Sequence, residues 1–281
     1  MKVLTQKQKI LMLVLDEMHR SGIRSKTYMM KTLFLLKEEG NLDGTIKFYS
    51  FYPYKYGPFS SVSYDDLNRL QKAGFVDDAL KITSLGRLKI KPDKEMQSKA
   101  RNIITGFATE SKIRAYVYEK YPQYTVKSEL SKPEIEKMPP AIFTIGYEGM
   151  DIDSFLNALI ENQIEVVIDI RFNPFSMRFD FIQNRLRTKL GNVGIEYVHI
   201  KDLGIEGSLR KDLDSPEDYK KLFSDYRRRI REHNNNELEA VIKSGKEKRI
   251  ALLCFESEKE RCHRQIVADE IENHGTKVVH L

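Results

Sequence analysis

Along residues 6–20 the apolar positions Ile10, Leu11, Leu13, Val14, Leu15 and Met18 fall on one helical face, and Gly22 follows as a stop. A second helix is predicted over 26–39, with Tyr28, Met29, Leu33, Phe34, Leu35 and Leu36 turned inward and Gly40 closing it. The stretch TIKFYSFYPYKYGPFS then predicts a short aromatic strand and a Pro/Gly-rich turn. A third helix over 61–73 carries Val62, Leu67 and Leu70. Residues 74–76 and 80–83 read as the two short strands of a hairpin, and 83–89 as the start of another helix. Helices followed by a β-hairpin wing describe a winged helix, a module that commonly binds DNA. Helical periodicity returns over 94–121 and breaks at Tyr121-Pro122.

Residues 131–140 hold three prolines within eight residues and little apolar content, which predicts a linker. Beyond it the pattern changes. Strands are expected at 142–146, 165–170, 196–200, 249–254 and 276–281, and helices at 152–161, 216–233, 237–244 and 261–274. Strands alternating with helices predict an α/β domain over 141–281, a mostly parallel sheet with helices on both faces. It would join a mainly α, winged-helix-like domain over 1–130 that ends in a helical extension.

Charge sharpens this division. Residues 1–140 carry 25 Lys and Arg against 16 Asp and Glu, while residues 141–281 carry 22 against 25. A basic module joined to a mildly acidic one points to a nucleic-acid-binding part, DNA being favoured, and a second part with another task. Lys47, Lys55 and Tyr56, set among Tyr49, Tyr52 and Tyr54, interleave cations and rings as stacking surfaces do, although half of these rings are expected in the core. The Arg227–Arg229 run with Arg231 reads as a solvated helix face or a phosphate contact. No stretch approaches 18 consecutive apolar residues, so no membrane partner is expected. The only cysteines, Cys254 and Cys262, share one short segment, which fits a reducing cytoplasm better than a stapled secreted fold.

Ligands of open α/β sheets gather at the carboxyl ends of the strands. The first such end, Gly146-Tyr147-Glu148-Gly149, either brings backbone amides toward an anion or is a plain strand-to-helix turn. At the second, Asp169 and Arg171 point to the same side, followed by Phe172-Asn173-Pro174-Phe175-Ser176; they form either a ligand-binding pair or a structural ion pair. The third opens from Cys254 through Glu256 into Cys262-His263-Arg264 at a helix start, where anions and thiolates are favoured. This segment resembles the cysteine loop of rhodaneses and cysteine phosphatases. It departs from them in placing Arg261 and Arg264 seven and ten residues after Cys254, and in its three glutamates. Cys254, Cys262 and His263, with His199 as a fourth, offer metal donors, but no Cys-x-x-Cys pair is present and Cys262 and His263 are adjacent. No metal ligand is therefore assigned, and the cofactor is left open.

The fragments TIGYEG, VIDIRFNPFS, GIEYVHIKDLG, ALLCFE, CHR and VVHL together resemble the family known as domain of unknown function 488. The resemblance implies an α/β domain with Asp169/Arg171 and Cys254-x-Glu256…Cys262-His263-Arg264 as its signature, and no established reaction. FYPYKYGPFS and AYVYEKYPQYTVKSEL are more loosely similar to winged-helix modules of mobile-element and phage-associated proteins.

Two functions remain open. One is a nucleic-acid-directed enzyme acting on a base, nucleotide or backbone. In it Glu256, Cys262, His263 and Asp169 are catalytic, and Gly146, Tyr147, Glu148, Arg171, Pro174, Cys254 and Arg264 bind the ligand. The other is a DNA-binding regulator whose α/β domain senses a small anionic ligand.

Overall fold

The first helix, α1 (Gln6–Arg20), starts where Thr5 and Gln8 cap each other reciprocally: Gln8 N donates to Thr5 Oγ1 at 3.3 Å and Thr5 N to Gln8 Oε1 at 3.0 Å. In the computed structural model the described residues are 3–40, 42, 47–90, 93–131, 133–210, 215–258 and 262–281. They divide into two units, Met1–Ile135 and Glu136–Leu281, each with its own core.

In the N-terminal unit, α2 (Lys26–Glu39) is capped by Ser25, and both helices bury faces that include Leu11, Val14, Leu33 and Phe34. The aromatic stretch pairs with itself as an antiparallel hairpin, β1 (Tyr52–Tyr54) with β2 (Gly57–Phe59), where Gly57 takes φ +89° in the turn. Thr45 and Ile46, where the strand was expected to begin, lie outside the described residues. After α3 (Ser61–Lys72), the expected wing is a single antiparallel bridge, Val76 to Ile82. The chain continues through α4 (Ser84–Arg87), α5 (Lys94–Gly106) and α6 (Glu110–Lys120). The periodicity over 94–121 thus belongs to two helices: the first stops at Phe107, and Thr109 accepts from Lys112 N to cap the second.

Lys31 is unusual in this core. It is 2% exposed, and its Nζ donates to the Pro58 carbonyl at 3.0 Å. Burial lowers its pKa from 10.5 to about 7, against the raising influence of Glu110. Across that interval the unfolded chain holds a proton that the folded chain has released, so stability rises with pH from about 7 to 10.5. Lys31→Met is expected to flatten this slope. Chemical denaturation at several pH values checks it, and an unchanged slope would refute the assignment.

The C-terminal unit has the expected strands and helices, with α8 added: β3 (Ala141–Gly146), α7 (Ile152–Glu161), β4 (Val166–Asp169), α8 (Gln183–Asn192), β5 (Glu196–His199), α9 (Pro216–His233), α10 (Asn235–Glu247), β6 (Arg249–Cys254), α11 (His263–Asn273) and β7 (Val278–His280). All strand pairs are parallel, in the order β5-β4-β6-β3-β7. Ile142, Ile168, Ile250 and Leu252 share a core with α9, α10 and α11. Residues of opposite parity such as Phe143, Val167 and Leu253 are buried too, so both faces are covered and β6 reads as apolar from Ile250 to Cys254. Of the arginine run on α9, Arg227 pairs with Asp269 and Glu270, Arg228 with Asp225, and Arg231 with Glu270.

Part of the expected linker is held by this unit. Arg249 Nη1 donates to the Pro139 carbonyl at 2.6 Å, and Gln163 binds both Met138 N and the Glu136 carbonyl. Among the described residues no helix is long and apolar enough to cross a membrane.

Candidate functional site

Strands β3, β4 and β6 are neighbours, so their carboxyl ends bring Gly146, Asp169 and Cys254 side by side. The loop after β6 folds across the end of β3. Glu148 N donates to the Phe255 carbonyl at 2.9 Å, and the Glu148 carboxylate accepts from Ser257 N and Oγ at 3.0 and 3.2 Å. Gly146 permits the crossing, because a Cβ there would overlap the Glu256 carbonyl oxygen and Arg264 Nη1.

Asp169 and Arg171 form a two-point ion pair, Nε to Oδ1 at 2.8 Å and Nη2 to Oδ2 at 2.5 Å. Asp169 is fully buried and also accepts from Tyr197 OH at 2.7 Å. Arg171 Nη1 donates to Tyr147 OH at 2.9 Å and to the Phe181 carbonyl at 3.1 Å. Burial alone would lower the Arg171 pKa, but the Asp169 hydrogen bond and charge raise it on balance; burial and Asp169 together push Tyr197 up. Tyr147 stacks on Phe181 with centroids 4.1 Å apart. These bonds fix the loop after β4. They leave Asp169, expected among catalytic groups, without a face on the cleft, and occupy most of the Arg171 donors expected for a phosphate.

The second cluster is different in kind. Cys254 Sγ and Cys262 Sγ each lie 3.0 Å from Glu256 Oε2. His263 Nδ1 lies 3.5 Å from Cys254 Sγ and 4.0 Å from Cys262 Sγ, while its Nε2 meets the Ile170 carbonyl at 3.0 Å. A carbonyl only accepts, so Nε2 donates there; Nδ1 faces the sulfurs, accepting from a thiol in the neutral ring and donating to a thiolate in the charged one. Cys262 is also the N-cap of α11 and accepts from Arg264 N at 3.5 Å. Burial pushes the Cys254 thiol well above its usual range, with Cys262 and Glu256 adding to it. Burial also raises Cys262, but hydrogen bonds from Cys254 and His263 outweigh it and bring Cys262 down to about 6. Cys262 is thus the more acidic thiol of the pair.

A cleft of about 460 Å³ opens over this cluster, walled by Tyr147, Arg171, Cys254, Phe255, Glu256 and His263 on the sheet side. Across from them stand Phe172, Asn173, Phe175, Ser176, Met177 and Arg178, with Ile205 and Gly207. Cys262, completely buried, lies beneath it. Arg264 is outside: it is 1% exposed and donates to the Glu256 and Ser257 carbonyls, so it braces the loop from behind. Pro174 is half-buried and gives its carbonyl to Gln183 N at 3.1 Å. His199 binds the Arg171 carbonyl at 2.8 Å, away from the sulfurs. Arg261 lies outside the described residues. Sequence reasoning missed Tyr197, Phe181 and Arg178. The available signal for the cleft wall was the run of large apolar residues in this loop, of which Phe175, Met177 and Phe179 are 64%, 97% and 58% exposed.

In the N-terminal unit, Lys47 and Tyr56 are exposed and Lys55 pairs with Glu129 at 3.0 Å. Lys55 and Tyr56 line a hollow of about 240 Å³ with Lys26, Tyr54 and Tyr64. Tyr49 and Tyr52 belong to the buried side.

The family profile described as "Domain of unknown function DUF488" matches residues 151–271. The matched span takes in Asp169, Arg171, Cys254, Glu256, Cys262, His263 and Arg264, and leaves Gly146, Tyr147 and Glu148 just outside it. Comparison with curated proteins and with solved structures gave no match.

Proposed function

We propose that the C-terminal unit is an enzyme acting on a nucleic acid, at a base, nucleotide or backbone bond, and that the basic N-terminal unit supplies the polynucleotide contact. The observation that carries this reading is the convergence of Cys254, Glu256 and His263 on one wall of a single cleft, with Cys262 directly behind. Glu256 is the general acid or base, since it alone of the four is not fully buried and faces the cleft. His263 and Cys262 set its orientation and charge. Asp169 and Arg171 act one step away, by holding the loop that bears Phe172 and Phe175. Those rings and Phe255 offer faces on which a base can stack, and Arg178 stands where a phosphate could be met. The N-terminal contact belongs to a winged-helix-like arrangement, with Lys47, Lys55 and Tyr56 at the polynucleotide and DNA favoured.

Nucleoside mass spectrometry of varied DNA and RNA substrates, modified-base DNA included, tests this directly. The wild-type chain is expected to give product, and Glu256→Gln at least about 100-fold less, the usual worth of a general acid or base. No product on any substrate while DNA binding persists would overturn the enzyme. It would leave a regulator that senses a small anionic ligand.

A further inference from the structure

The ligand atoms of Cys254, Glu256, Cys262 and His263 all lie within 4.8 Å of one another. From this geometry we infer that the four side chains bind one divalent ion of the Zn²⁺ class, with Glu256 as the exchangeable ligand on the cleft side.

Three features of the cluster carry the assignment. The first is hydrogen-bond supply. With the His263 ring neutral and its proton on the Ile170 carbonyl, the cluster interior holds a ring lone pair, a carboxylate oxygen and two sulfurs. Four contacts, each sulfur with Glu256 and with His263, draw on the protons of two thiols. Donor atoms crowded in this way at the end of a central strand suit a cation.

The second is distance. Zn²⁺ bonds of about 2.3 Å to sulfur and 2.0–2.2 Å to nitrogen or oxygen, at tetrahedral angles, place neighbouring donors about 3.5–3.8 Å apart. The donors here stand 3.0 Å apart for each sulfur and Glu256, and 3.5 and 4.0 Å apart for the sulfurs and His263 Nδ1. These four spacings lie within about half an ångström of that range, and the other two lie within 4.8 Å. The adjacency of Cys262 and His263 is no obstacle. Cys262 is the N-cap in extended backbone and His263 is the first residue of α11, so the two side chains leave the chain on different courses yet meet at Cys254.

The third is support around the ligands. Imidazoles that bind metal almost always give their other N–H to a carbonyl or carboxylate, which fixes the tautomer, and His263 does this with Ile170. Arg264 holds the Glu256 and Ser257 carbonyls, so the ligand-bearing loop is tied at its base.

Two sulfur, one nitrogen and one oxygen donors favour Zn²⁺ over Mg²⁺ or Ca²⁺, which prefer oxygen alone. Binding would release the thiol protons to solvent and change no oxidation state. Cys254, Cys262 and His263 are buried, whereas Glu256 is half-buried on the cleft wall. Its carboxylate is therefore the ligand that a water or substrate atom can replace, and only once displaced is it free to act as the general acid or base.

The full-length chain, purified under reducing conditions and freed of metal, is titrated with Zn²⁺ and separately with Co²⁺. The expected results are one equivalent of Zn²⁺ per chain and a Co²⁺ spectrum with intense tetrahedral bands and a thiolate charge-transfer band. Cys262→Ser and His263→Ala should each weaken Zn²⁺ binding by at least about 100-fold, beyond the 10- to 100-fold typical of an outer-shell partner. Glu256→Gln should keep the thiolate band with altered tetrahedral bands. Should Cys262→Ser fail to fold, the wild-type cobalt spectrum still decides. Binding below one equivalent, a cobalt spectrum without the thiolate band, or a Cys254–Cys262 disulfide that persists under these conditions would each overturn the assignment. A stoichiometric ion without turnover on nucleic acid would preserve this site and remove only the catalytic reading.

Discussion

Asp169→Ala is expected to destabilise the protein by about 3–5 kcal/mol, the cost of removing one partner from a buried ion pair. Arg171, 6% exposed, would be left charged beside the Tyr147 ring with its two-point acceptor gone. Tyr197 would lose its acceptor as well. For a chain of this size the fall in Tm is on the order of 10 °C. Thermal denaturation of the full-length protein reads it. Asp169→Asn separates charge from shape, because it keeps one acceptor oxygen and the volume. If Asp169→Ala costs under about 1 kcal/mol, the pair is not what holds the loop after β4.

Gly146→Ala is expected to cost about 3 kcal/mol, the upper end for overpacking, and to damage the candidate site at the same time. The added methyl group meets backbone, the Glu256 carbonyl, and the Arg264 guanidinium that braces it. Neither is a free side-chain end, so the loop from Phe255 to Ser257 has to move. Glu256 would then leave the two sulfurs, and zinc affinity should fall by at least about 10-fold alongside the loss of Tm. Denaturation and metal titration on one sample check both. Unchanged values in the two measurements would mean that the loop yields easily, contrary to its ties to Glu148 and Arg264.

How far the sequence could be read depended on where each signal lies. α1, α2, α9 and β6 begin and end where the sequence placed them, because their signals are local: Thr5, Ser25 and Ser215 cap the helix starts, and β6 after Arg249 is a run of apolar residues. α8 went unread because QNRLRTKLGN offers only Leu186 and Leu190 to the core and its start lacks a side-chain cap. That Gly146, Asp169 and Cys254 end neighbouring strands was legible for the same local reason, since alternation and the βα order put them there. The roles of Asp169, Arg171 and Arg264 were not legible. Their partners Tyr147, Phe181, Tyr197 and Glu256 come from separate segments, and only the fold reveals that these close around them. Cys262 and His263 show the same limit, because adjacency in the chain does not tell which way two side chains leave a helix start.

The order β5-β4-β6-β3-β7 also governs assembly in time. β3 and β4 leave the ribosome early, yet they are not partners; both pair with β6, whose residues come about 80 to 110 positions later. Until Arg249–Cys254 has been synthesised, β3 and β4 each keep a strand edge that has nothing of its own to bind. Nascent chains halted shortly before residue 249 should therefore be the species most prone to chaperone capture and aggregation. The same late strand delivers Cys254, so the cluster starts to form only once the central strand is in place.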